Sequence, residues 1–272
     1  MIGNRCCRHV CAEQRFFVEG INGNLKFIPL NLLDIFLGVP VTSMFGMQVT
    51  GKPLSAAKLY EVSLQSIYKS QIAEATLRLL AAKRYLLLFN TTGDVPDLEA
   101  AILQVRKALE TIAFAAIAPD IKQYEAFRAE ATKNPDFTKD YHAAKIFTAL
   151  SLVNKDFYPI SLLPVKQQHD GSWHFDIKQS GFLTKKKFET VYDRLGKHLH
   201  AHNPWSGSKN LQNLAGDLPT IVEETHALLD VHARIIRTSE FHGVWVIETD
   251  RLGNPPQILT AKADGPFIRI NS

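Results

Sequence analysis

The chain has 272 residues, 46% of them hydrophobic and 21% charged, with 15 glycines and 13 prolines. It is long enough to bury a sizeable core in one large or two small domains, and too apolar to be a disordered chain. A formal charge of +4 and a sequence pI of about 8.9 make it mildly basic, which permits nucleic-acid contact without requiring it.

All three cysteines, Cys6, Cys7 and Cys11, fall at the very start. No disulfide framework can therefore form in the body of the chain, and a reducing, cytoplasmic setting is the expectation. The cluster CCRHVC around His9 lacks the second ligand pair that a zinc site needs. The most apolar run, LKFIPLNLLDIFLGVPVTSMFGM, is interrupted by Pro29, Asp34 and Pro40. It falls short of the roughly 18 uncharged residues of a spanning helix. It also starts too deep for a secretory signal and offers no A-x-A cleavage site. No membrane segment is expected, and residues 1–47 are read as an N-terminal extension, non-native or poorly ordered, upstream of a start at Met44 or Met47.

Residues 48–240 read as a helical bundle with an irregular insertion at 155–183. Ser55 is a plausible N-cap for a stretch that runs to Phe89 without glycine or proline, one long helix or two stacked ones, and NTTGDVP then supplies a stop. Asp97 can cap the next helix, in which Leu98, Ile102, Val105, Leu109, Ile112 and Ala116 recur at spacings of three and four. Pro119 ends it, and IKQYEAFRAEATK and TKDYHAAKIFTALSLVN give a third and fourth helix around the breaker NPD. Helices of this length on short loops pack as an antiparallel bundle.

The stretch 155–183 is long and irregular, with SWHFDIK alternating as a short strand does; it is either functional or an excursion packed on the bundle. Thr184 then caps KKKFETVYDRLGKHLHAH, which stops at Asn203-Pro204. After the loop WSGSKNLQNLAG, DLPTIVEETHALLDVHARIIRTS reads as a further helix. Residues 241–272 read as a β-hairpin turning at Gly253 and packed with its tail on the bundle. The fold class expected is mainly α, an antiparallel helical bundle with a small C-terminal β-hairpin.

The chemistry concentrates in VYDRLGKHLHAHNPW, which places His198, His200 and His202 within five residues. On a continuous helix, at about 100° per residue, Phe188, Val191, Tyr192, Leu195 and Leu199 share an apolar face. His202 falls within that face, His198 lies on its flank, and His200 points nearly the opposite way. Only His198 and His202 could share an ion, and Leu199 stands where the zincin pattern HExxH has its general base. No metal is assigned there; His202 reads as a core histidine.

Arg194 lies one turn before His198 and is separated from His200 by LGKHL. This resembles the motif of arginine, four to six residues, then histidine found in the HEPN superfamily of small helical bundles, which includes metal-independent ribonucleases of bacterial toxin and antiviral systems. KALETIAFAAIA, NKDFYPISLLP and LGKHLHAHNPW are similar to uncharacterised bacterial proteins of that kind. The resemblance implies RNA cleavage by Arg194 with His198 or His200, a homodimer that brings two motifs together, no cofactor, and an antitoxin or other partner protein. A base for the 2′-hydroxyl, an acid for the leaving oxygen and a cation for the phosphate are what such cleavage needs. Lys185, Lys186, Lys187 and Lys197 would add a basic nucleic-acid-binding rim, the bland reading being a solvated face. Leu195 departs from the polar residue that most active members carry after the arginine, so a non-catalytic interaction or scaffold module stays open beside the enzyme.

Other groupings are thinner. Glu223, His226 and Asp230 share a helix face as half of a di-iron ExxH site would, but a second ExxH is missing. His142 reads as an ordinary helix-surface residue. There is no P-loop, dinucleotide fingerprint or nucleophile elbow.

Overall fold

The computed structural model describes residues 15–17, 56–132, 135–164, 166–167, 173–201, 205, 211–238, 242–262 and 268–270. Apart from the short strand β1 (Arg15–Phe17), the expectations for residues 1–55, with the cap at Ser55, lie outside them.

A single 37-residue helix, α1 (Ala56–Thr92), is followed by α2 (Val95–Ile117). Gly93 makes the stop: at φ 78° it takes the left-handed conformation, and its N–H reaches back to the Phe89 carbonyl at 2.8 Å. Asp94, not Asp97, holds the N-cap position of α2, with Pro96 in the first turn and Asp97 just inside, where its charge faces the positive helix end. The two helices pack as an antiparallel pair. On α1, Gln65, Tyr68, Ile72, Ala75, Leu79, Ala82 and Leu86 are buried, alternating steps of three and four as in a coiled-coil seam. On α2, Leu98, Ile102, Val105, Leu109, Ile112 and Ala116 are all buried, as their spacing predicts.

Pro119 lies in a tight turn of 3₁₀ helix, Ala118–Asp120, that redirects the chain into α3 (Ile121–Ala129). The fourth helix is shorter than its sequence pattern: α4 spans Ala143–Val153, and Phe137–Lys139 forms a separate 3₁₀ turn. Asp140 fixes that region, accepting from Tyr124 Oη at 2.8 Å and from Arg128 Nε at 2.8 Å. α4 and α5 (Lys185–His198) cover α2 on one side, and α6 (Leu211–Leu229) packs on α1.

The C-terminal part corrects the sequence reading. The last helix ends at Leu229, and VHARIIR is the strand β5 (Val231–Arg237), so the helical region does not extend to residue 240. β5 pairs antiparallel with β6 (His242–Glu248), which pairs with β7 (Gln257–Lys262); Gly253, at φ 85°, lies in the β6–β7 turn. A short strand from the 155–183 segment, β2 (Ile160–Ser161), adds to the other side of β5, giving the order β2-β5-β6-β7. The hairpin is thus half of a four-stranded sheet. Its inner face, with His232, Ile236, Trp245 and Ile247, closes on the bundle. Its outer face, with Ala233 and Val246, is covered by Leu162, Phe175 and Ile177. The 155–183 excursion, which also holds β3 (Lys166–Gln167) and β4 (Trp173–His174), therefore covers the outer face of the sheet, while its ends pack on the helices, with Phe157 and Leu183 buried in the helical core and Phe157 against Phe147 of α4. The last strand, β8 (Ile268–Ile270), pairs with β1. Among the described residues no helix is long and apolar enough to cross a membrane.

Candidate functional site

α5 carries the Arg–His segment, and its placement follows from its amphipathic pattern. Thr184 caps it, its side chain accepting from the Lys187 N–H at 3.3 Å. Phe188, Val191, Tyr192 and Leu195 are buried, which leaves Arg194 on the flank of the buried face. The helix ends at His198; Leu199 is the C-cap, its N–H bonding the Gly196 carbonyl at 3.3 Å. His200 therefore lies beyond the helix and is exposed, while His198, in the last turn, is half-buried. Helical spacing does not orient His200 against the apolar face, because α5 ends before it; His202 lies outside the described residues.

Arg194 donates from Nη1 to Asp217 Oδ2 of α6 at 2.7 Å. Lys187 donates from Nζ to Glu224 Oε1 at 2.6 Å. From Lys187 to Arg194 the chain advances seven residues along α5, and from Glu224 to Asp217 it retreats seven along α6. Seven residues are two turns, so the pairs are two rungs of one ladder between antiparallel helices, about 10 Å apart. Between the rungs, Val191 and Ile221 are buried.

The lysines of the expected basic rim are consequently divided. Lys187 is engaged by Glu224, and Lys185 lies over the Phe157 ring, its Nζ 4.9 Å from the centroid. Lys186 and Lys197 are exposed. A carboxylate and an aromatic ring thus offset cations that stand against the helix dipole at the N-terminus of α5.

A second cluster lies beside Arg194 and has no signature in the sequence. Arg106 of α2 donates from Nη1 to the Tyr192 carbonyl at 2.9 Å and from Nη2 to Tyr192 Oη at 2.8 Å. Its guanidinium carbon lies 3.9 Å from the centroid of the same ring. Tyr192 Oη in turn donates to Glu110 Oε1 at 2.9 Å. Burial, with that carboxylate next, pushes the Tyr192 hydroxyl up to about 12, so it stays protonated as a donor. His142 packs edge-on against Tyr192 at 5.2 Å, half-buried at the N-cap of α4 and not on a free helix surface. Gly196, in the middle of RLGKHLH, is what admits Arg106: a Cβ there would stand 2.4 Å from its Nη1. The Arg106–Tyr192 contacts span 86 positions of sequence, so local pattern could not reveal them.

On α6, Glu223, His226 and Asp230 do meet, around a guanidinium. Arg251, from the β6–β7 turn, binds Asp230 through Nε and Nη2 at 2.5 Å each and Glu223 Oε2 through Nη1 at 2.9 Å. Lys83 of α1 adds a contact to Glu223 at 3.4 Å. His226 is buried, and burial followed by the Lys83 and Arg251 charges lowers its pKa to about 4, so its ring is neutral near pH 7. An open depression of about 490 Å³ lies alongside, lined by Gly181, Pro219, Thr220, Glu223, Glu224, Ala227 and Arg251. Both carboxylates are committed to Arg251, and among the described residues no three histidine, cysteine or acidic side chains are grouped as metal ligands.

Compared with protein-family models, with curated proteins and with solved structures, the chain matches none of them.

Proposed function

We propose that the chain is a HEPN-like helical module of a bacterial defence or toxin-type system that binds a partner protein and does not cleave RNA. The observation that carries this reading is the Arg194–Asp217 pair. A metal-independent ribonuclease needs the arginine to face the phosphate on which charge develops. Here the guanidinium instead forms one rung of the α5–α6 ladder, with Lys187–Glu224 as the other. Leu195, next in the chain, is a core residue, so the position that most active members of the resembled family fill with a polar side chain serves packing here.

The second reading is the ribonuclease, acting as a homodimer through Arg194 with His198 or His200. His200 is exposed beyond the end of α5, and the Arg194 pair is a surface one, with 37% and 56% of the two side chains accessible. Exposed pairs of this kind are worth about 0–1 kcal/mol, little enough for a phosphate to displace the carboxylate.

The experiment is RNA cleavage on structured RNA and tRNA, using protein freed of contaminating nucleases. The module reading expects no cleavage by the wild type, and Arg194→Ala and Asp217→Ala that each cost less than about 1 kcal/mol in urea titration, with effects that do not add. Cleavage that falls about 10²-fold or more in Arg194→Ala and in His198→Ala or His200→Ala, with the helical circular dichroism intact, overturns it in favour of the enzyme.

A further inference from the structure

The long helix α1 is apolar on two sides, and the fold accounts for one of them. Its buried seam lies on α2. At about 100° per residue a second line, turned by about 130° from that seam, carries Ala73, Leu77, Leu80, Arg84 and Leu87 in steps of four and three. This line faces away from α2, yet Leu77 on it is 48% exposed and Leu87 67%, with Ile67 (48%) and Leu88 (43%) along one edge. Leu252, also exposed, extends the patch, because its neighbour Gly253 stands against Leu77. Towards the start of the helix the same line reads Ser66 and Ser70, both exposed, as a solvated face does. Single exposed leucines are ordinary, but a continuous row that replaces serines within one line of one helix marks a contact surface.

The charges on this line select what fits it. Arg84 lies over the Tyr85 ring, 5.5 Å from its centroid, and pairs with no carboxylate among the described residues. Glu74, next to Ala73, receives Arg78 Nε at 2.8 Å and Arg78 Nη2 at 2.7 Å, both on Oε1, which leaves Oε2 to a further cation. Two copies of α1 packed parallel would set Arg84 against Arg84 in the middle of the contact. Packed antiparallel about a two-fold axis between Leu77 and Leu80, each Leu77 meets Leu80 of the second copy, and each Arg84 crosses the small Ala73 towards Glu74 Oε2. Leu88 of each copy then comes beside Ile67 of the other, and Leu87 falls opposite Ser70 at the rim. The face is thus complementary to itself in one direction only.

We propose that this face of α1 is a docking surface for a second copy of the chain, forming an antiparallel two-fold dimer through residues 67–88. The surface lies across α1 from α2, and α5 lies on α2, so the dimer holds the two Arg194–His200 segments apart. That is the reverse of the pairing a dimeric ribonuclease needs, and it stands independently of how Arg194 is read.

The test is sedimentation velocity on the full chain, where a dimer is expected. Leu80→Glu, with helical circular dichroism intact, should raise the dissociation constant about 10²-fold or more, because it buries a carboxylate without a partner. Leu152→Glu, at an exposed leucine of α4, should leave the dimer unchanged. Direction is read by crosslinking in a chain with Cys6, Cys7 and Cys11 replaced by serine. The double variant Ile67→Cys, Leu88→Cys should be joined into dimers by a short bis-maleimide, and neither single variant should, since identical positions then stand roughly 30 Å apart. A chain that sediments as a monomer at the highest concentration attainable, a dimer that Leu80→Glu leaves intact, or a single variant that crosslinks as readily as the double one overturns the inference.

Discussion

Replacing Gly196 by alanine sets two effects of opposite sign against each other. Within a helix interior, alanine is better than glycine by roughly 0.5–1 kcal/mol, because glycine loses more backbone freedom on folding. The added methyl, however, would stand 2.4 Å from Arg106 Nη1 and 3.2 Å from its guanidinium carbon. The guanidinium must then shift, which strains its bonds to the Tyr192 carbonyl and hydroxyl, of which a charge-assisted example contributes about 1.5–3 kcal/mol when lost. Stacking over the Tyr192 ring adds about 0.5–1 kcal/mol at a partly accessible site. The side chain of Arg106 retains 20% of its accessibility, so water replaces part of what is lost. Gly196→Ala is expected to destabilise by about 1–3 kcal/mol in urea titration followed by helical circular dichroism, with the m-value unchanged. The decisive comparison is the same substitution in Arg106→Ala. With the guanidinium gone, only the helix preference remains, and Gly196→Ala should stabilise by about 0.5–1 kcal/mol. Stabilisation in both backgrounds, or an equal loss in both, would refute the steric argument.

Leu109, wholly buried in α2, should cost about 2–5 kcal/mol when cut to alanine, and a loss under about 0.5 kcal/mol by denaturant titration would contradict the packing described. His226 and His232 are both held near pKa 4, by burial first, against an ordinary 6.5. As pH falls from 6.5 towards 4 the unfolded chain takes up protons that the folded histidines refuse, so the urea midpoint should drop through that window, and His226→Leu should shrink the drop; an unaltered pH profile would contradict a neutral buried ring.

Much of the helical core was legible because burial on one face writes a period into the chain. α2 is the clear case: Leu98 to Ala116 recur at helical spacing, and each is buried. Caps and turns with local chemistry were equally readable, as at Thr184 and Gly253. Tertiary structure decided where both faces of an element are covered. In β5 the bundle buries His232, Arg234 and Ile236 from one side while the excursion and its neighbours bury Ala233 and Ile235 from the other, so no alternation survives in VHARIIR and the stretch passes for more helix. Arg234 adds to the disguise, since a charged side chain reads as surface until Asp120, 114 residues away, is seen beside it. The Arg–His segment shows the same division. Sequence placed Arg194 and His198 one turn apart, because helical spacing is a local property. That Asp217 holds Arg194, that Gly196 exists to admit Arg106, and that the helix ends before His200 depend on α2 and α6 lying against α5, and only the packed chain brings those partners together.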